Sequence, residues 1–189
     1  MKLVIENPVT VITPTIGSPK LKDAIESVKN QTYKCQHLLV VDGPDYAEKV
    51  CDIKPSDVSC MFLTENTGKT GGDFYGHRIY AALPHLLNSD YILFLDEDNW
   101  YEPDHVATLI ETIEKKQLHF AFSLRKIFSP EKEFLADDNC ESLGKWPIYF
   151  TRGHPQGPQY LVDTSSFCFT REFIQQTCHL WHWGWGGDR

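Results

Sequence analysis

Tyr91-Ile92-Leu93-Phe94-Leu95-Asp96-Glu97-Asp98 is an apolar run that ends in three carboxylates. Bounded by Asn88-Ser89-Asp90 on one side and Asn99 on the other, it reads as a strand buried on both faces of a sheet. Such a strand delivers its last residues to the carboxyl edge of the sheet, where α/β proteins bind their ligands. Alternation predicts Asp96 and Asp98 on one side and Glu97 on the other. Two like charges side by side need a cation, a proton or a donor group between them. The stretch is therefore either a polar turn after a core strand or a divalent-cation site, and its surroundings favour the second.

Outward from this strand the chain alternates strand and helix. Val9 to Thr13 is a short β-branched strand leading into the loop Pro14-Thr15-Ile16-Gly17. Ser18 is a helix N-cap and Pro19 a first helical residue, and Leu21, Ala24, Ile25 and Val28 recur at helical spacing up to about Gln31. His37 to Val41 is a second buried strand, stopped by Asp42-Gly43-Pro44. A weaker helix covers Tyr46 to Cys51, and Val58 to Leu63 is a third strand. The polar loop from Glu65 to Gly72 precedes a helix over Asp73 to Leu87, with Tyr75, Ile79, Ala82 and Leu86 on one face and Pro84 bending or ending it. After the central strand, Pro103 starts a helix carrying Val106, Leu109, Ile110 and Ile113, and His119 to Leu124 is again a strand. This rhythm predicts an α/β fold with a doubly wound, mostly parallel sheet flanked by helices.

The rhythm breaks at Ser129 to Tyr160, which is rich in Pro, Gly, Asp and Asn; connections of that length are functional or disordered. Val162 to Thr170 is strand-like, Arg171 to Thr177 is a short helix, and the chain finishes in His179-Leu180-Trp181-His182-Trp183-Gly184-Trp185-Gly186-Gly187-Asp188-Arg189. The 189 residues suit one domain. A net charge of -8 argues against a nucleic-acid partner. The six cysteines lack metal-type spacing and read as reduced, which points to an intracellular, cytoplasmic setting. The N-terminal apolar run is too short for a signal peptide, and no stretch approaches the roughly 20 apolar residues of a transmembrane span.

Together these pieces resemble the family-2-type, inverting glycosyltransferases of the GT-A fold. Val11-Ile12-Thr13-Pro14-Thr15 matches that family's opening strand and nucleotide loop, and Ser27 to Tyr33 the end of its first helix. Leu39-Val40-Val41-Asp42-Gly43 matches its second strand, and Asn66-Thr67-Gly68 with Gly76-His77-Arg78 the loop and helix before the metal motif. Leu95-Asp96-Glu97-Asp98 is similar to its Asp-x-Asp motif, and Trp185-Gly186-Gly187-Asp188 to the loop bearing the catalytic base.

The resemblance implies a hexosyltransferase that takes a nucleotide-sugar donor, with a lean to UDP, and a glycan or other hydroxyl acceptor. It implies Mn²⁺ or Mg²⁺ on Asp98, with Asp96 closer to the ribose or bound through water. Asp42 would meet the base, Thr13, Pro14 and Thr15 would line it, and Arg78 would reach a phosphate or ribose. Asp188 would be the general base, and Trp181, Trp183, Trp185 and Gly187 would present an acceptor sugar surface. The segment 129–160 would be the variable acceptor-side region.

Two departures bear on this. Gly187 replaces the acidic residue that commonly precedes the base, and Asp188 is the penultimate residue, where the family continues with a bracing helix. Either the chain is a piece of a longer one, or a second subunit, as in a homodimer, braces the loop. The competing expectation is a degenerate or truncated domain that binds nucleotide-sugar without turnover. A phosphatase of the Asp-x-Asp type is disfavoured, because Asn99-Trp100 follows the motif where that class has Thr or Val and then Thr.

Overall fold

The structure is a computed structural model and describes residues 9–68, 75–140, 142–145 and 162–182. Four strands run parallel at its centre: β1 (Val9–Thr15), β2 (Gln36–Val41), β3 (Ser59–Phe62) and β4 (Tyr91–Phe94). Two more, β5 (Phe120–Phe122) and β8 (Phe167–Thr170), complete a six-stranded sheet of order β3-β2-β1-β4-β8-β5. β8 lies antiparallel to both β4 and β5. The sheet is thus mostly parallel, as the alternation of strands and helices predicts. A separate antiparallel hairpin joins β6 (Lys126–Phe128) to β7 (Phe134–Asp137).

Both faces of the sheet are covered, which explains the unbroken apolar runs of β1 and β4. On one face α1 (Leu21–Lys29) and α4 (His105–Lys116) press Ala24, Val28, Val106, Leu109, Ile110 and Ile113 against Val9, Val11, Leu93 and Leu95. On the same side α2 (Ala47–Ile53) inserts Val50 beside Leu21, Ile25, Leu39 and Val41. The other face is covered by α3 (His77–Ala82) and α5 (Arg171–Thr177), whose Ile79, Tyr80 and Ile174 meet Ile12, Ile92, Phe94 and Phe169.

Several boundaries differ from the sequence expectation. α1 starts at Leu21, not at Pro19, and Ser18 is no N-cap; its Oγ accepts only from the Lys20 amide, at 3.3 Å. The helix before β4 is shorter than expected and turns a different face inward. His77, Ile79, Tyr80 and Leu83 are buried, whereas Tyr75 and Leu86 are about 70% exposed. Pro84 does end it, converting the last turn to 3-10 geometry. The second strand of the β6–β7 hairpin stands inside the segment from Ser129 where irregular chain was expected. Every residue of β7 is exposed, so neither of its faces carries the apolar alternation that marks a half-buried strand.

Trp181 is also corrected. It is 8% exposed and packs edge-on against Phe94 and Phe169, at 5.4 and 5.6 Å between ring centroids, so it belongs to the core and offers no face to a sugar. All six cysteines are free thiols, and Cys168 and Cys178 are fully buried. No described helix is long and apolar enough to cross a membrane.

The end of α1 is clamped to the segment that follows the central strand. Gln31 Nε2 donates to the Ser27 and Glu102 carbonyls at 2.9 and 2.8 Å, while its Oε1 accepts from the Val106 amide at 3.0 Å. The Thr32 amide adds a bond to the Pro103 carbonyl at 2.8 Å. These bonds fix the start of α4 relative to α1, and with it the loop that leaves the carboxylate motif.

Candidate active site

The carboxyl ends of β1, β2 and β4 converge, because Thr15 is in register with Val41 and Ile12 with Phe94. The chain after β4 does not continue as a strand. The Asn99 amide bonds back to the Asp96 carbonyl at 3.1 Å, so Asp96-Glu97-Asp98-Asn99 is a β-turn, and strand alternation no longer decides where the carboxylates point.

The three carboxylates have separate surroundings. Glu97 accepts from the Thr15 hydroxyl at 2.6 Å, the Ser18 amide at 2.8 Å and the Ile16 amide at 3.3 Å. It staples the β1–α1 loop to the turn. Asp96 Oδ1 accepts from the Tyr80 hydroxyl at 2.8 Å. Burial, and then the charge of Asp96, hold the Tyr80 phenol well above its ordinary range, so Tyr80 remains a donor. Asp98 is exposed and has no partner among the described residues. Its carboxylate is the uncommitted one.

The turn is held from below by Ser165, whose Oγ accepts from the Asp96 amide at 3.1 Å and from Asn99 Nδ2 at 3.0 Å. Ser165 is fixed in turn by Asp163, which accepts its amide at 2.9 Å through Oδ1 and pairs with Arg125 at 3.1 Å through Oδ2. Sequence reasoning missed Glu97 as a staple and Ser165 as a support. The signal for Ser165 was the polar Thr164-Ser165-Ser166 cluster inside an otherwise apolar stretch, and all three of these residues are buried.

At the end of β2, Asp42 is buried and accepts from the Thr67 amide and hydroxyl at 2.7 and 3.0 Å. Arg78 Nη1 donates to the Thr67 carbonyl at 2.8 Å, so Thr67 brings Asp42 and Arg78 together. Gly43 makes this possible: its φ is 117°, and a Cβ there would stand 3.0 Å from Asn66 Cβ. Gly76, with φ 83°, lies so close to Pro14 that a Cβ would come within 2.9 Å of it.

The opening strand contributes less than the sequence suggested. Thr13 is fully buried with its hydroxyl on His37 Nε2 at 2.9 Å, and Thr15 is held by Glu97. Pro14 alone of the three is half-buried. Trp183, Trp185, Gly187 and Asp188 lie outside the described residues. Among the described residues no cluster of three or more His, Cys, Asp or Glu stands together as a metal cage. Asp96 and Asp98 nonetheless supply hard oxygen donors within one four-residue turn. That chemistry fits Mg²⁺ or Mn²⁺, which take one or two carboxylates and complete their shell with phosphates and water.

A six-stranded sheet with one antiparallel strand, covered by helices on both faces and carrying an acidic turn at its carboxyl edge, defines a mostly parallel α/β architecture. The chain belongs to glycosyl transferase family 2, whose sequence profile matches residues 10–176. It is 27% identical over 124 residues to the glycosyltransferase GlyA of Streptococcus pneumoniae, a match covering 63% of this chain and 17% of GlyA. Its fold is similar to S. aureus TarS 1-349 in complex with UDP, with TM-score 0.59 and 13% identity, over 89% of this chain and 48% of that one. It is also similar to 4-diphosphocytidyl-2C-methyl-D-erythritol synthase from Anaerococcus prevotii, with TM-score 0.52 and 12% identity, over 90% of this chain and 73% of that one. The chain thus spans under a fifth of the curated relative and about half of the TarS fragment. The similarity to TarS and the synthase is one of fold.

Proposed function

We propose that this chain is the catalytic domain of a metal-assisted glycosyltransferase that moves a hexose from a UDP-sugar to an acceptor hydroxyl with inversion. The observation that carries the proposal is the exposed, unpartnered Asp98 carboxylate, in a turn whose other acidic side chains are already bonded. The lean to uridine is supported by TarS, which has this fold and is solved with UDP and with UDP-GlcNAc. Asp98, with Asp96 beside it, would hold Mn²⁺ or Mg²⁺, whose contribution is to neutralise the diphosphate charge that grows as the sugar–oxygen bond breaks.

The chain's own groups do the rest. Asp42 takes two bonds from Thr67, and a carboxylate has about four acceptor sites, so it keeps capacity for a base N–H. Arg78, anchored on the Thr67 carbonyl, places its charge beside the phosphates. Thr13 and Thr15 hold the backbone of the nucleotide loop from inside, with Pro14 against the base. Asp188 removes the acceptor proton as attack proceeds, and Trp183, Trp185 and Gly187 shape the sugar side of that loop.

Calorimetric titration with UDP, GDP and CDP, each with Mn²⁺ and with chelator, tests the donor half. Manganese-dependent binding of UDP is expected. In Asp98→Asn it should fall by at least the upper end of the roughly 10–100-fold loss that follows removal of outer-shell partners. Absence of binding to all three nucleotides overturns the proposal. Product anomeric configuration by NMR, together with loss of turnover but not of UDP binding in Asp188→Asn, tests inversion and the base.

A further inference from the structure

A second feature of the molecule lies beyond the donor edge. A cleft of about 890 Å³ runs between the segment from Asp98 to His105 and the β6–β7 hairpin, with Ser165 and Ser166 at its base. Ligand pockets for molecules of a few rings fall in the range of roughly 300–1,000 Å³. Asp98 lines this cleft, so it opens onto the carboxylate that the turn leaves uncommitted. Any molecule in it would lie beside the reacting centre proposed above.

The lining is aromatic and carries slightly more carboxylates than cations. Trp100 is half-buried, with Phe128 of the hairpin at 4.9 Å between ring centroids, and Tyr101 stacks nearly parallel on His105 at 4.1 Å. Most of the charged groups along the walls are paired. Lys132 meets Asp23 at 2.7 Å, Arg125 meets Asp163 at 3.1 Å, and Lys126 meets Glu102 at 3.8 Å. Lys20, Asp98 and Asp104 remain, so the described residues of the walls hold no surplus of cations to receive an anionic ligand. Lys132 also hangs over the Trp100 ring at 5.9 Å, but its pair with Asp23 is solvent-exposed and is held weakly.

We infer that the acceptor is an uncharged saccharide that stacks on Trp100 in this cleft, displacing the Lys132 side chain as it enters. A flat indole takes the C–H face of a sugar ring, while the hydrogen-bonding walls suit hydroxyls and would not select for phosphate or carboxylate groups. The inference rests on the donor reading above and adds the class of acceptor.

The test is a glycan array of neutral and anionic oligosaccharides, read with the wild-type chain, Trp100→Ala and Trp100→Phe, beside UDP calorimetry and a thermal melt of each. Neutral glycans should bind the wild type, with about tenfold or greater weakening in Trp100→Ala and a smaller loss in Trp100→Phe. UDP affinity should stay unchanged in both variants, and the melting temperature in Trp100→Phe, so that a fall in the melt of Trp100→Ala alone is read as lost packing on Phe128. Binding confined to anionic glycans, no neutral glycan bound, or equal binding by wild type and Trp100→Ala each overturns the inference. Loss of UDP binding by the wild type instead sinks the donor reading, so the two failures are told apart.

Discussion

The carboxyl edge proposed to take the donor and the hairpin side proposed to take the acceptor are held together by different kinds of bond. Along β1, β2 and the acidic turn, polar side chains are buried and answer one another at short range: Thr13 with His37, Thr15 with Glu97, and Asp42 with Thr67. Along the hairpin a buried anchor at its base, Asp138 on Arg125 and Ser142, is joined by ion pairs reaching solvent, such as Lys132–Asp23, with side chains 58% and 37% exposed. Buried, satisfied networks fix one geometry, whereas exposed pairs exchange readily with water. On the proposed function, the contrast gives precision to the side that would place a leaving group and adaptability to the side that would admit an acceptor.

The largest effect is expected beneath both sides, in the core of the sheet that carries them. Trp181 packs on Phe94 of β4 and on Phe167 and Phe169 of β8, across the seam between the parallel strands and the antiparallel pair. Trp181→Ala should cost about 3–5 kcal/mol in chemical denaturation, the range for a buried aromatic. A change below about 1 kcal/mol would mean that the parallel strands and the antiparallel pair are not packed as one core.

Acid should weaken both sides. Burial pushes the imidazoles of His37, on the donor edge, and His105, in the cleft wall, down to about 4 from the ordinary value near 6.5. Below about 6.5 the unfolded chain takes up protons that the folded chain refuses until about pH 4. The stability that these neutral rings contribute is therefore complete above that upper value and is lost as pH falls through the window. The loss is on the order of 3 kcal/mol for each ring. His105→Phe, which keeps a ring against Tyr101, should flatten the stability-versus-pH slope measured by denaturant titration, and an unchanged slope would contradict this account.

Glu97→Ala should come next. It strips three donors of their acceptor, at about 2 kcal/mol, and frees the β1–α1 loop, which proteolysis would detect near Gly17. Lys132→Ala should be the mildest, within about 1 kcal/mol. Should Lys132→Ala cost as much as Glu97→Ala in the same melt, the contrast between the sides fails.

The fold was largely legible because its core strands and α4 are governed by burial, and burial leaves periodicity. Val106, Leu109, Ile110 and Ile113 are the inward face of α4, as their spacing requires. The hairpin was illegible for the opposite reason, since Phe134 to Asp137 are exposed throughout. Asp42, Asp96 and Asp98 could be placed at the carboxyl edge of the sheet because each follows a strand that burial makes readable. Which of the carboxylates is free could not be read, because that depends on Thr15 and Ser18 reaching Glu97 from some 80 positions earlier in the chain. Trp181 was misplaced because tryptophan in a glycine-rich stretch carries no mark that separates core from surface.

One bond set has a chemical corollary. Gln31 needs its nitrogen: Nε2 gives protons to two carbonyl oxygens while Oε1 receives one from Val106. Exchange of that NH₂ for oxygen, as in deamidation, would turn two attractions into repulsions between a carboxylate and two carbonyls. The joint between α1 and α4 therefore ages by a route that leaves volume and shape intact, and a gain of about one dalton at this residue would mark chains whose clamp has opened.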